Sequence, residues 1–207
     1  MRFAIIYIFT ILAVQSHGID FKSDSMGASL STLDTGNSNY DHETITLRFH
    51  LISNSWQFGG WDMHWAIEPN INWFKHRLNN PLWISEEEPN YLYQRELYTN
   101  GVDFIFWGSE VALIARKRFS QRIAFESSVA LGIGHLDEST ERQSRGFTFS
   151  ETGRLGFLFD FNSHSVFAGY AITHISNAGL NGLNGGYDLS GISVRLEKKF
   201  SFAYGPE

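Results

Sequence analysis

The chain has 207 residues, a formal net charge of −6, no cysteine and an aromatic share of 15%. The lack of thiols excludes disulfides and thiolate chemistry, and the acidic balance argues against nucleic acid as a partner. Length allows one domain, and an aromatic-rich, glycine-rich composition points to an all-β chain.

In chain order, the first feature is an address. Arg2 is the only charge before an apolar run from Phe3 to Val14, and Gln15, Ser16 and Gly18 follow it. A positive start, a short apolar core and a small-residue exit predict a secretory signal peptide over residues 1–18, leaving 19–207 as the folded domain. The run is too short to span a bilayer as a helix, which takes about 20 residues.

Beyond it the dominant period is two. From Arg122 to Gly134, Ile123, Phe125, Val129, Leu131 and Ile133 share one parity, and Arg122, Glu126, Ser128, Ala130, Gly132 and Gly134 share the other. From Phe147 to Asp160, Phe147, Phe149, Leu155, Phe157 and Phe159 alternate with Thr148, Ser150, Thr152, Arg154 and Asp160. Ile192, Val194 and Leu196 alternate with Ser193, Arg195 and Glu197 in the last such stretch, where Lys198 breaks the apolar parity: either it lies near an interface or the register differs locally. Alternation of this length indicates strands with one apolar and one polar face. Eight segments result: 24–34, 43–53, 58–74, 102–117, 121–134, 146–160, 164–176 and 188–202.

The spacers alternate too. Those after the second, fourth and sixth segments are short, and those after the first, third, fifth and seventh are long. The longest is Lys75–Gly101, with Glu86, Glu87, Glu88 and aromatics from Trp83 to Tyr98. It reads as an extracellular loop. Short turns on one side, long loops on the other and an even strand count predict an eight-stranded antiparallel transmembrane β-barrel of the outer membrane, with its termini on the short-turn side. Eight strands enclose an interior that side chains fill, and Glu110, Arg116, Glu126 and Arg154 on the polar parity suit a paired plug. A soluble secreted sandwich or lipocalin-like barrel would put the apolar parity inside. Bulky aromatics on that parity favour lipid, and charges on the other would not suit a small dry core.

Chemistry concentrates after the seventh segment. His174 and Ser176, two apart in a strand, lie side by side on one face. A hydroxyl beside an imidazole is the minimal nucleophile and base, and the imidazole needs a carboxylate to fix its tautomer. A hairpin would bring Asp188 alongside. Taken alone, a His-x-Ser triplet in a chain with eight His reads as well as an interface histidine and a turn serine. All three residues fall on the lipid-facing parity at the long-loop rim, which suits a lipid substrate beside the barrel.

His174-Ile-Ser176-Asn177-Ala-Gly179-Leu180, then Asn184-Gly-Gly and an acid fourteen residues after the His, resembles the signature of the PagL-type lipid A 3-O-deacylases. Phe147-Thr-Phe149-Ser-Glu151 through Leu155-Gly156, and Ser128 through Gly134, resemble that family's sixth and fifth strands. The resemblance covers roughly residues 102–202, and more loosely 43–74. It implies Ser176 as nucleophile, His174 as general base and Asp188 as the acid, where the family has Glu. It implies Asn177, with backbone N–H groups around Gly179, as oxyanion support, Asn184 as a second site Asn, and Phe149 and Glu151 as site-lining residues. Glu151 stays open as a reserve acid for His174. The implied reaction is serine-esterase hydrolysis of the 3-position hydroxyacyl ester of lipid A, with no metal or cofactor. Lipopolysaccharide is the implied substrate partner and outer-membrane lipids the surroundings; a homodimer stays open. The competing expectation is a non-enzymatic barrel serving as adhesin or structural anchor.

Overall fold

The computed structural model describes residues 23–35, 39–53 and 55–200. The expected signal peptide (1–18) and the strand end near Phe202 lie outside them. The nine strands in chain order are β1 (Ser23–Asp34), β2 (Tyr40–Ser53), β3 (Trp56–Phe58), β4 (Trp61–Leu78), β5 (Val102–Arg118), β6 (Ile123–Leu136), β7 (Gly146–Phe161), β8 (His164–Ser176) and β9 (Tyr187–Lys199). Eight long strands pair antiparallel in the order β2-β1-β9-β8-β7-β6-β5-β4, and pairing of β2 with β4 closes the barrel. The three-residue β3 folds back on the start of β4.

Alternation sorts the two walls as expected. Val129, Leu131, Phe157, Tyr170 and Val194 are exposed on the outside, forming the apolar belt of a membrane barrel. Lys198 also points outward, but it pairs with His164 at the first position of β8, next to the short turn, so it sits at the interface. On the inside, Glu126 and Glu197 bind Arg116 and Arg195 at 2.6–2.9 Å. One storey higher, Arg48 lies 3.1 Å from Glu110, and Arg154 and His50 bind Glu68. Burying a charge is costly unless it is paired and hydrogen-bonded, and these groups partner one another. The small inward residues make room for large ones: a Cβ on Gly132 would lie 2.5 Å from Glu110 Cγ, and one on Gly134 2.5 Å from Phe106 Cζ. Towards the long-loop end the interior turns apolar, with Leu33, Phe74, Phe104, Phe106, Leu136, Ile175, Tyr187 and Leu189 packed together.

The Lys75–Gly101 segment departs from a plain loop. Strand β4 runs on to Leu78. A 3-10 turn follows at Pro81–Trp83 and a ten-residue helix, α1, at Tyr91–Asn100. Tyr98 of α1 packs with Leu78 and Ile84. Burial first, then the nearby Glu141 carboxylate, raises the Tyr98 phenol above its ordinary value. Arg95 donates to the Ile84 carbonyl oxygen at 2.7 and 3.1 Å, and its other nitrogen lies 3.7 Å from Glu86. The segment is thus a small folded cap on the β4–β5 side of the barrel.

Candidate active site

Strand register builds the site. His174 of β8 faces Asp188 of β9 directly across the pair and Glu151 of β7 on its other side. The three form one outward row across three strands, near the long-loop rim. His174 Nδ1 is 2.7 Å from Asp188 Oδ1. Directly opposed residues in antiparallel strands hold their Cβ atoms about 4.5–5.5 Å apart, so the shorter Asp reaches the imidazole without its missing methylene. An Nδ1–H donated to the carboxylate leaves the Nε2 lone pair open as a base.

Ser176 lies two residues on, on the same outward parity and opposite Phe149. Its hydroxyl makes no hydrogen bond among the described residues. Catalytic hydrogen bonds commonly tighten only when substrate binds. Phe149 packs edge-on against Phe147 at 5.1 Å between centroids, giving Ser176 an aromatic neighbour on the lipid side. Below the row, Ile172 and Tyr170 continue the exposed apolar wall. Glu151 is exposed and makes no hydrogen bond among the described residues, whereas Asp188 is bonded to the imidazole.

The loop after β8 behaves differently from the oxyanion expectation. The Asn177 side chain is fully buried. Its Nδ2 donates to the Leu183 and Asn181 carbonyl oxygens at 2.8 and 3.3 Å, and its Oδ1 accepts from Gly179 N–H at 2.9 Å. The donors of Asn177 and Gly179 are therefore engaged in shaping the loop. Asn184 is set the other way: its Oδ1 accepts from Asn177 N–H at 3.0 Å, which leaves its exposed amide NH2 as the side-chain donor next to Ser176. The loop carries Ala178 and Gly179 at φ 52° and 79°.

Sequence reasoning missed the loop between β6 and β7. Arg142 donates from Nε to the Gly186 carbonyl and from Nη2 to the Gly185 carbonyl, both at 2.9 Å. No signal in the sequence marks this, because the partners are backbone atoms some forty residues away. Among the described residues, no cluster of three or more His, Asp or Glu side chains is arranged to hold a metal ion.

A family model described as lipid A 3-O-deacylase (PagL) matches residues 45–197, which include all three residues of the row. The chain belongs to the lipid A 3-O-deacylase (PagL) family. Among solved structures, it is similar to the outer membrane enzyme PagL, at 15% identity and a TM-score of 0.53, covering 85% of this chain and 99% of that one. It is similar to Neisserial surface protein A (NspA) to the same TM-score, at 12% identity, covering 85% of this chain and 96% of that one. At such identities the likeness shows the fold alone. No curated protein matches the chain. Family membership and the exposed aromatic belt together make this PagL-family chain an integral outer-membrane barrel.

Proposed function

We propose that the protein removes the 3-position hydroxyacyl chain of lipid A by serine-esterase chemistry at the outward row, after export directed by residues 1–18. The supporting observation is the hydrogen bond between His174 Nδ1 and Asp188 Oδ1, on a face open to lipid, in a chain of the lipid A 3-O-deacylase family.

The steps follow from the chemistry of the groups. His174 Nε2 takes the proton from Ser176 Oγ as the oxygen attacks the ester carbonyl carbon. The tetrahedral oxyanion meets the Asn184 amide, a donor held in place by its own oxygen's bond to Asn177 N–H. Collapse breaks the C–O bond to the sugar, and the imidazolium returns its proton to the departing sugar oxygen. The acyl group is then an ester on Ser176. Water, deprotonated by His174, attacks that ester, the hydroxy fatty acid leaves and Ser176 regains its proton. Asp188 holds the imidazole tautomer and stabilises its cation throughout. Lipopolysaccharide in the outer leaflet reaches this face without entering the barrel.

The competing reading is a barrel that only anchors its extracellular segments; the fold, shared with a surface protein, does not separate the two. Mass spectrometry of lipid A from cells with and without the expressed chain does. The esterase reading expects loss of one hydroxyacyl group, and unchanged lipid A at verified outer-membrane expression overturns it.

A further inference from the structure

Gly186 lies beside both His174 and Ser176. Its backbone is left-handed (φ 64°), and a Cβ built there would lie 3.1 Å from His174 Cε1 and 3.4 Å from Ser176 Cβ. The peptide wall at Gly186 therefore borders both. Cε1 sits between the two ring nitrogens, and the Gly186 backbone leaves no free room beside it even for a methyl group, so with Asp188 bonded to Nδ1 the direction of Nε2 is confined. Two residues further on the same chain is Asp188 itself, so a shift of Gly186 disturbs both constraints.

A glycine in a loop does not hold its own conformation. We propose that Arg142, on the loop between β6 and β7, is the positioning residue that does, and so sets the geometry of the catalytic centre. This rests on the deacylase reading above. Arg142 contacts two consecutive residues three times: its Nε and Nη2 donate to the Gly186 and Gly185 carbonyls at 2.9 Å, and its own carbonyl accepts from Gly185 N–H at 2.5 Å. The planar guanidinium fork suits two adjacent carbonyls in a way an ammonium does not. Arg142 is itself held: Cζ lies 4.1 Å from the Tyr40 ring centroid, and its N–H donates to Thr140 Oγ1, which is hydrogen-bonded to the buried Tyr187 hydroxyl at 2.5 Å. The rest of the loop joins further out. Ser144 and Leu183 exchange two bonds at 3.1 Å, and Gln143 bridges to Asn184. Those contacts attach the loops to each other; among the described residues, Arg142 is the side chain that hydrogen-bonds the Gly185 and Gly186 carbonyls.

The test compares purified wild type, Arg142→Met, Arg142→Lys, Gly186→Ala and Ser176→Ala on lipid A in mixed micelles, with kcat and KM measured per folded molecule. A misplacement of about 1 Å costs about 10²-fold. Arg142→Met is thus expected to lower kcat by about 10–100-fold with KM unchanged within about twofold. Arg142→Lys, keeping the charge but not the fork, should recover only part of this. Gly186→Ala should lower kcat alike, and a variant combining Arg142→Met with Gly186→Ala should be no worse than the more severe single one, since both act on one geometry. A serine-directed fluorophosphonate should label Ser176 more slowly in each Arg142 and Gly186 variant, in proportion to its loss of kcat, and should not label Ser176→Ala. Wild-type kcat in Arg142→Met, full rescue by Lys, or a loss confined to KM overturns the proposal. If Arg142→Met fails to fold, Arg142→Lys and Gly186→Ala carry the same comparison. An inactive wild type is a different outcome, which removes the deacylase reading itself.

Discussion

On the inner wall, Glu126 accepts from Arg116 and twice from Arg195, and Glu197 accepts from the same two guanidinium groups. On the outer wall Asp188 accepts from His174 alone, and the remaining ring nitrogen, the Ser176 hydroxyl and the Asn184 amide have no partner among the described residues. The groups are similar in kind and differ in how far they are satisfied. Inside a closed barrel an unpaired charge has neither water nor lipid headgroup to turn to, so each of these carboxylates is bound by both guanidinium groups, even though single atoms such as Glu197 Oε2 make no hydrogen bond. At the rim, headgroups and water reach the side chains, and a donor or base can be left open for a substrate. The same strands carry both: β9 presents Arg195 and Glu197 inward and Asp188 outward.

This contrast can be broken at several points. The largest effect is expected at Ser176, the proposed nucleophile. Ser176→Ala should lower deacylation by on the order of 10⁴-fold or more, and His174→Asn should be comparable, because members of a triad act as a unit. Both barrels should remain folded, since removing an outward hydroxyl opens no core cavity; heat-modifiable gel mobility checks the fold and lipid A mass the reaction. Near wild-type release by Ser176→Ala would place the nucleophile elsewhere. Asp188→Asn comes next, with a loss of about 10²–10⁴-fold through the wrong tautomer.

Glu126→Gln should do the reverse. It leaves two buried guanidinium groups short of a counter-charge and should lower unfolding stability by about 3–5 kcal/mol, read as the urea midpoint in detergent. Its kcat per folded molecule should be unchanged, and a large fall in kcat would mean the two walls are coupled. The smallest effect is expected for Glu151→Gln, within about tenfold of wild type, since Glu151 shares the row with His174 but not its hydrogen bond. If Glu151→Gln proves worse than Asp188→Asn, the acid of the triad changes strand.

Strand parity was legible because it follows from local alternation, and it assigned Phe157 and Val194 to the outside and Arg154 and Glu126 to the inside. Strand ends were less so. Lys75-His76-Arg77 looks like the start of a loop, yet β4 continues because alternate residues still turn inward: His76 and Leu78 are buried, and His76 bonds to His42 at 2.9 Å. The helix α1 was hidden because its preceding residue, Asn90, is left-handed and makes no side-chain cap, and because its apolar residues are split between a buried Tyr98 and exposed Leu92 and Tyr93. In the site, His174, Ser176 and Asp188 could be placed on one face from spacing alone. The engagement of Asn177 and Gly179 could not, because a short loop rich in Asn and Gly has many ways to bond to itself. The Arg142 contact could not either, since it joins a side chain to backbone in another loop.

The outward parity of His174 and Ser176 has a kinetic corollary. A substrate that meets this face arrives by sliding within a leaflet, so its supply is a matter of areal density. Rates should follow the mole fraction of lipid A in the surrounding film, and inert detergent or phospholipid should slow turnover by dilution even at constant bulk amount. The medium that dissolves the barrel is the same medium that delivers its reactant.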